Sequence, residues 1–273
     1  MTTEVKKYWT TSVSDIEGGA VYIRGYDIGS LIGKVSFASV THLLIRGRLP
    51  TPGESRMMEA VLCSVLDYAL KKPGTVAARY CVSGNPSMVA GLATAVLSAG
   101  EYTLAPDTAG AFIAATFGDY KRSGETMHVA AQRVVAALRA RGERAPGFGH
   151  PNFRFLDPRA QALKSIAVEA DVWGEMCDWY EAVHLAFTTQ SMKPELVINE
   201  VGMMAAILTQ MGFTPQEMTG LAVISTMPGV VAHVSEELQS KVRIRVVADD
   251  DVEYARVRRD LQEDLAAFSV SKA

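Results

Sequence analysis

Strand-forming sequence is confined to the first 27 residues of this 273-residue chain, and the remainder carries helix signals. Ser12–Ile16 and Ala20–Ile23 flank the pair Gly18-Gly19, the pattern of a short hairpin. After Asp27 the apolar residues recur at helical spacing. Ser36–Arg46 opens on a serine cap and is stopped by Leu49-Pro50-Thr51-Pro52. Glu54–Leu70 reads as a second helix, stopped by lysines and Pro73. Glu125–Arg141, Pro158–Ala170, Trp173–Phe187 and Val201–Met211 read as further helices. Thr214–Thr226 follows, with Thr214 as cap and Glu217 in capping-box position, and Pro228-Gly229 separates it from Val230–Gln239. The sequence therefore predicts an all-α chain with a short N-terminal β-hairpin.

Pro86–Ala99 is apolar on every side and almost free of charge. Such a helix is buried in the core of a large protein or against a second subunit, so dimerisation is expected. With 48% hydrophobic residues and a mean hydropathy of +0.10, the chain can bury a sizeable core. Its net charge of −3 gives no footprint for nucleic acid. Asp249–Asp251, the longest run of like charge, reads as a solvated turn. Cys63, Cys81 and Cys177 lie far apart, with neither disulfide nor zinc spacing, which fits a reducing compartment. No signal peptide and no membrane-spanning stretch is expected, and the chain is read as cytoplasmic.

The stretch Pro146–Arg159, PGFGHPNFRFLDPR, concentrates chemistry. Gly147 and Gly149 let backbone come close to a ligand. His150 titrates near neutral pH, and Arg159 offers a planar fork for a carboxylate. The bland alternative is an ordinary turn with a surface histidine.

Four ordered segments give the chain a resemblance to the citrate synthase superfamily, which includes the citryl-CoA lyases. They are VYIRGYDIGSL at Val21–Leu31, SFASVTHLLIRGRLPTPGE at Ser36–Glu54, PGFGHPNFRFLDPRA from Pro146, and MPGVVAHVSEEL at Met227–Leu238. In length the chain is nearer to the compact citryl-CoA lyase module. The resemblance implies one citrate synthase-like domain over residues 1–273 and an interlocked homodimer. It implies a large lobe of about 1–107 and 220–273, a small lobe of about 108–219, and a site in the cleft. It also implies coenzyme A bound as a thioester through Pro146, Gly147, Phe148 and Gly149, an organic acid as the second small molecule, and no metal.

Family chemistry makes or breaks a carbon–carbon bond beside a CoA thioester. By resemblance, His150 serves the hydroxyl or ketone of the acid, and Arg159 binds a carboxylate. Arg243 matches an arginine donated across the dimer, and His233 matches a family histidine that also reads as structural. The enolate-side histidine position falls near Thr103, and a partner-binding histidine falls near Tyr68. A carboxylate-binding arginine position falls near Thr226, and the catalytic aspartate falls on Val201, beside Glu200 in Asn199-Glu200-Val201. Glu200 is the candidate base, or else a helix-start glutamate favoured by the dipole. Tyr68, Thr103 and Asn199 join the substrate-binding set.

These departures damage the machinery for condensation more than that for cleavage. The expected activity is therefore cleavage of a β-hydroxyacyl-CoA into an acyl-CoA and a keto acid. The alternatives are a condensing acyltransferase with a non-standard acceptor, another acyl-CoA reaction using Tyr68, Tyr102 and Glu200, and a silent CoA-binding or regulatory homologue.

Overall fold

The computed structural model describes residues 7–270. An antiparallel sheet of β1 (Ser14–Glu17), β2 (Ala20–Ile23) and β3 (Tyr26–Asp27) opens the chain. Glu17 pairs with Ala20 around the Gly18-Gly19 turn. The third strand lies beyond the predicted hairpin and is reached through Gly25 at φ +84°.

Twelve α-helices follow among the described residues. They are α1 (Ile28–Leu31), α2 (Phe37–Arg46), α3 (Pro52–Ser64), α4 (Pro73–Gly84), α5 (Met88–Leu97) and α6 (Pro106–Ser123). The rest are α7 (Met127–Ala140), α8 (Pro158–Glu169), α9 (Glu175–Ser191), α10 (Glu200–Gln210), α11 (Pro215–Ser240) and α12 (Leu261–Val270). The architecture is all-α with a small N-terminal sheet, as the sequence predicts. Ser36 caps α2 by accepting from the Ser39 N–H. Reciprocal capping boxes, Thr51 with Glu54 and Thr214 with Glu217, start α3 and α11. Asp249–Asp251 forms a short exposed 3₁₀ turn.

Three expectations are corrected. First, α3 stops at Ser64 rather than Leu70, and residues 65–70 form an irregular loop. Pro73 does not only end a helix there; it is the first residue of α4, where its missing N–H costs nothing. Second, α11 runs unbroken through Pro228. Proline removes one intrahelical bond, and the neighbouring Gly229 N–H turns outward to donate to Leu66 O at 2.9 Å. A Cβ at Gly229 would stand 2.5 Å from that same oxygen and 2.7 Å from Asp67 Cα, so only glycine admits the loop. Because it is unbroken, α11 is long and apolar enough to cross a membrane by length and composition, contrary to the expectation that no stretch is. Of its most apolar 18-residue window, 39% is buried inside the protein.

Third, α5 is not buried on every side. Only Gly91 and Ala95 are enclosed, while Val89 and Leu97 are 75% and 85% exposed. Its apolar character is not accounted for by packing within one chain.

The main core joins α3 and α6–α10 to the first half of α11, around Trp179, Tyr180, Met57, Met58 and Met204. A smaller cluster of Ala78, Val82, Ala95, Val230 and Val234 joins α4 and α5 to the second half of α11 and includes Tyr68. The long helix thus carries both cores, and the 65–70 loop rests on it where they meet.

Candidate active site

The loop before α8 is held from behind. The fully buried Tyr180 donates its phenol to Pro146 O at 2.7 Å, and Asn199 N donates to Gly147 O at 3.0 Å. Gly149 N donates to Val197 O at 2.7 Å, and Asn199 Nδ2 donates to Gly149 O at 2.9 Å. Phe148 is packed among Tyr180, His184 and Phe187. Gly147 has φ +78°, and a Cβ there would collide with the Tyr180 hydroxyl and come within 2.7 Å of Gly202 Cα. Close packing against α9 and α10 thus by itself requires glycine at this position.

This scaffold presents His150 beside the start of α8. Asp157 caps that helix, accepting from Arg159 N at 3.0 Å, and Pro158 takes the first helical position. Arg159 then turns back over the Phe153 ring, 5.1 Å from its centroid. Its Nη2 donates to Asp157 Oδ2 at 2.9 Å and to Glu200 Oε2 at 2.7 Å, and lies 3.2 Å from His150 Nε2. Asn199 caps α10, which places Glu200 at the first helical residue.

One nitrogen of His150 and one oxygen each of Asp157 and Glu200 all lie within 4.8 Å of one another. Three such donors resemble a metal set, but the cation they surround is the Arg159 guanidinium.

Electrostatics divide the labour. Burial pushes the Glu200 carboxyl above its usual range; Arg159 opposes this, and the charge and hydrogen bond of Asp157 reinforce it. Burial also works against ionisation of Asp157, but the Arg159 hydrogen bonds prevail and hold that carboxyl low. Of the two carboxyls, Glu200 is thus the more readily protonated. Burial, then the charges of Arg159 and Lys72, lower the His150 pKa. Asn152 N donates toward Nδ1 at 3.1 Å and Arg159 Nη2 lies 3.2 Å from Nε2; a neutral imidazole accepts at only one of these nitrogens, and a protonated one at neither. The imidazole is neutral at pH 7.

A cavity of about 660 Å³ opens in front of these groups, within the usual range for a small-molecule site. Of the residues marked by sequence, it brings together His150, Glu200, Arg159, Tyr68, Thr103, Asn199 and Gly149, with Val201, Thr226 and Tyr102. Thr103 already donates its hydroxyl to Ser98 O, at 3.1 Å. Pro146, Gly147 and Phe148 stand behind the cavity wall, outside its lining. Arg243 lies on a separate recess with Val82, Glu237 and Leu238. His233 lies outside the lining too, with Nε2 3.1 Å from Asp67 Oδ1.

Sequence reasoning missed Lys72, Asp67 and Cys63, which also line the cavity. Lys72 had been read as part of a helix stop.

Residues 3–64 and 50–246 match the family model described as "Citrate synthase, C-terminal domain". Citrate synthase 2 of Bacillus subtilis (strain 168) is 27% identical over 207 residues, covering 75% of this chain and 53% of that protein. The chain therefore spans about half the length of that curated relative. The solved citryl-CoA lyase of Hydrogenobacter thermophilus superposes with a TM-score of 0.86 at 35% identity, covering 95% of this chain and all of the other. ATP citrate lyase from Methanothrix soehngenii, solved with citrate and coenzyme A, shares the fold with a TM-score of 0.78 at 19% identity, over 94% of this chain and 43% of that one.

Proposed function

The chain belongs to the citrate synthase family, and on that premise we propose that it cleaves the carbon–carbon bond of a β-hydroxyacyl-CoA, releasing an acyl-CoA and a keto acid. The observation that carries this reading is the meeting of the His150 imidazole with the Glu200 carboxyl, whose proton affinity burial raises, on one wall of one cavity. In the cleavage, His150 takes the proton of the β-hydroxyl. The oxygen's electron pair forms the keto group as the carbon–carbon bond breaks. That bond's electrons pass to the α-carbon and into the thioester as an enolate. Glu200 delivers its proton to the α-carbon, and the proton on His150 returns to Glu200 through one bridging water, the two side-chain atoms lying within 4.8 Å.

Arg159 and Asp157 set the protonation of Glu200 rather than serving first as a clamp. Coenzyme A enters as part of the substrate, with no separate cofactor and no metal step in the scheme. Similarity to citryl-CoA lyase supports this direction, and microscopic reversibility permits slow condensation. A homodimer would cover the apolar face of α5 and bring a second copy's Arg243 toward the cavity.

The test is incubation of the purified chain with citryl-CoA and a panel of related β-hydroxyacyl-CoA thioesters. Keto acid and acyl-CoA should appear in equal amounts, and His150→Ala should abolish both. Absence of product from the whole panel sinks the proposal. Release of thiol from acetyl-CoA and keto acids, without cleavage, favours the condensing enzyme.

A further inference from the structure

Cleavage in the proposed direction leaves the electrons of the broken bond on the thioester as an enolate, and negative charge settles on its oxygen. A group aimed at such developing charge is usually the largest single contribution to rate. His150, Glu200 and Arg159 are committed elsewhere. In the proposed cleavage His150 takes the hydroxyl proton and Glu200 protonates the α-carbon. Arg159 donates through Nε and Nη2 to Asp157 and through Nη2 to Glu200, so its charge is already met.

The other polar groups of the cavity leave few donors. Thr103 gives its hydroxyl proton to Ser98 O, Ser64 to Val61 O, and Asn199 Nδ2 donates to Gly149 O. Lys72 is different. Of the cations of this chain that line the cavity, it is the one that forms no ion pair among the described residues. Its backbone is fixed, with N donating to Ala69 O at 3.1 Å and O accepting from Val76 N at 3.0 Å. Its side chain is exposed, so a molecule in the cavity can reach it. Its charge helps to lower the His150 pKa, which sets the ammonium within electrostatic range of the reacting atoms.

We infer that Lys72 is a further catalytic residue, whose ammonium pairs the thioester enolate oxygen as the carbon–carbon bond breaks and releases it when Glu200 protonates the α-carbon. An ammonium favours an oxygen bearing full negative charge over the carbonyl oxygen of the intact thioester. The interaction therefore strengthens as the bond breaks, where it accelerates the reaction rather than merely tightening binding. The inference rests on the lyase reading for the bond that breaks, and its main test needs no turnover.

Two thioethers of coenzyme A with the same shape provide that test. Carboxymethyl-CoA carries negative charge where the enolate oxygen forms, and carbamoylmethyl-CoA is its uncharged amide. In calorimetry the parent should bind the carboxylate about tenfold or more tightly than the amide, and Lys72→Met should abolish that preference while changing affinity for the amide less than about threefold. Lys72→Arg, which keeps the charge, should retain part of the preference, and added salt should erode it in the parent. Because Lys72 is exposed and unpaired, Lys72→Met should unfold near the parent's thermal midpoint. In turnover of a cleavable thioester, Lys72→Met should lower kcat about a hundredfold or more with little change in KM, whereas a lysine that only anchored the acid would raise KM. No preference in the parent, a preference that survives Lys72→Met, or one lost in Tyr102→Phe instead, overturns the inference. A preference lost in Lys72→Met in a protein that cleaves no thioester would sink the lyase reading and leave the oxygen site standing; cleavage without any preference would do the reverse.

Discussion

Arg159 and Glu200 meet at 2.7 Å, yet the glutamate is pushed toward its protonated form, because burial outweighs the guanidinium and Asp157, held by the same nitrogen, adds to the effect. One cation is shared by two buried carboxyl groups, and Glu200 holds a proton more readily than Asp157. Replacing Arg159 by Leu would leave Asp157 buried without its partner. Breaking a buried pair from one side typically costs about 3–5 kcal/mol. Thermal unfolding of Arg159→Leu should show a large drop, and Arg159→Leu/Asp157→Asn should recover part of it.

Glu200→Gln retains the shape of the side chain and removes its acid function. If Glu200 supplies the proton to the departing carbon, kcat should fall about 10²–10⁴-fold with little change in KM. Steady-state assays on whichever thioester is cleaved will check this, and a loss confined to KM would remove Glu200 from the chemistry.

The pH profile follows from the same groups. His150 must be neutral, and its pKa is lowered from 6.5, so the acid limb should lie below 6.5. Glu200 must be protonated, and its pKa is raised from 4.5, so activity should fall as pH rises through that raised value. Glu200→Gln should remove the alkaline limb of the residual rate and leave the acid limb in place.

Stability should respond to acid through His184. Its Nε2 lies 2.9 Å from Leu196 O, and burial lowers its pKa from 6.5. A depressed native pKa contributes stability that is present above 6.5 and is lost as pH falls through the native value. The thermal midpoint should therefore decline on the acid side of 6.5, and His184→Gln should flatten that decline.

Gly147→Ala forces a side chain into the left-handed region and against Tyr180 and Gly202. A loss of about 2–4 kcal/mol is expected, read by denaturant unfolding. The Asn199 N bond to Gly147 O would be displaced with it.

The fold was legible where local chemistry marks it. Ser36, Thr51 and Thr214 cap their helices through their own side chains, and the N-terminal glycine pair turns a hairpin. The helices α4 and α6 escaped notice because each opens on a proline, which reads equally well as a stop. Pro228 misled in the opposite sense, since the outlet for the Gly229 N–H lies more than 160 positions earlier, at Leu66. His150 and Arg159 were visible as one contiguous motif. The convergence of Asp157 with Glu200 was not, because it depends on how α8 and α10 pack. Lys72 was overlooked for the same reason: nothing in Lys71-Lys72-Pro73 tells a helix end from a cation set over a cavity.

The Pro228–Gly229 step in α11 makes the floor of the cavity and the longest helix one mechanical piece. Residues 66 and 67 hang from that helix by a backbone bond, so a displacement of α11 carries Asp67 and Tyr68 with it. A bulkier residue at position 229 would press directly on Leu66 and Asp67 and reshape the stretch of cavity wall they form.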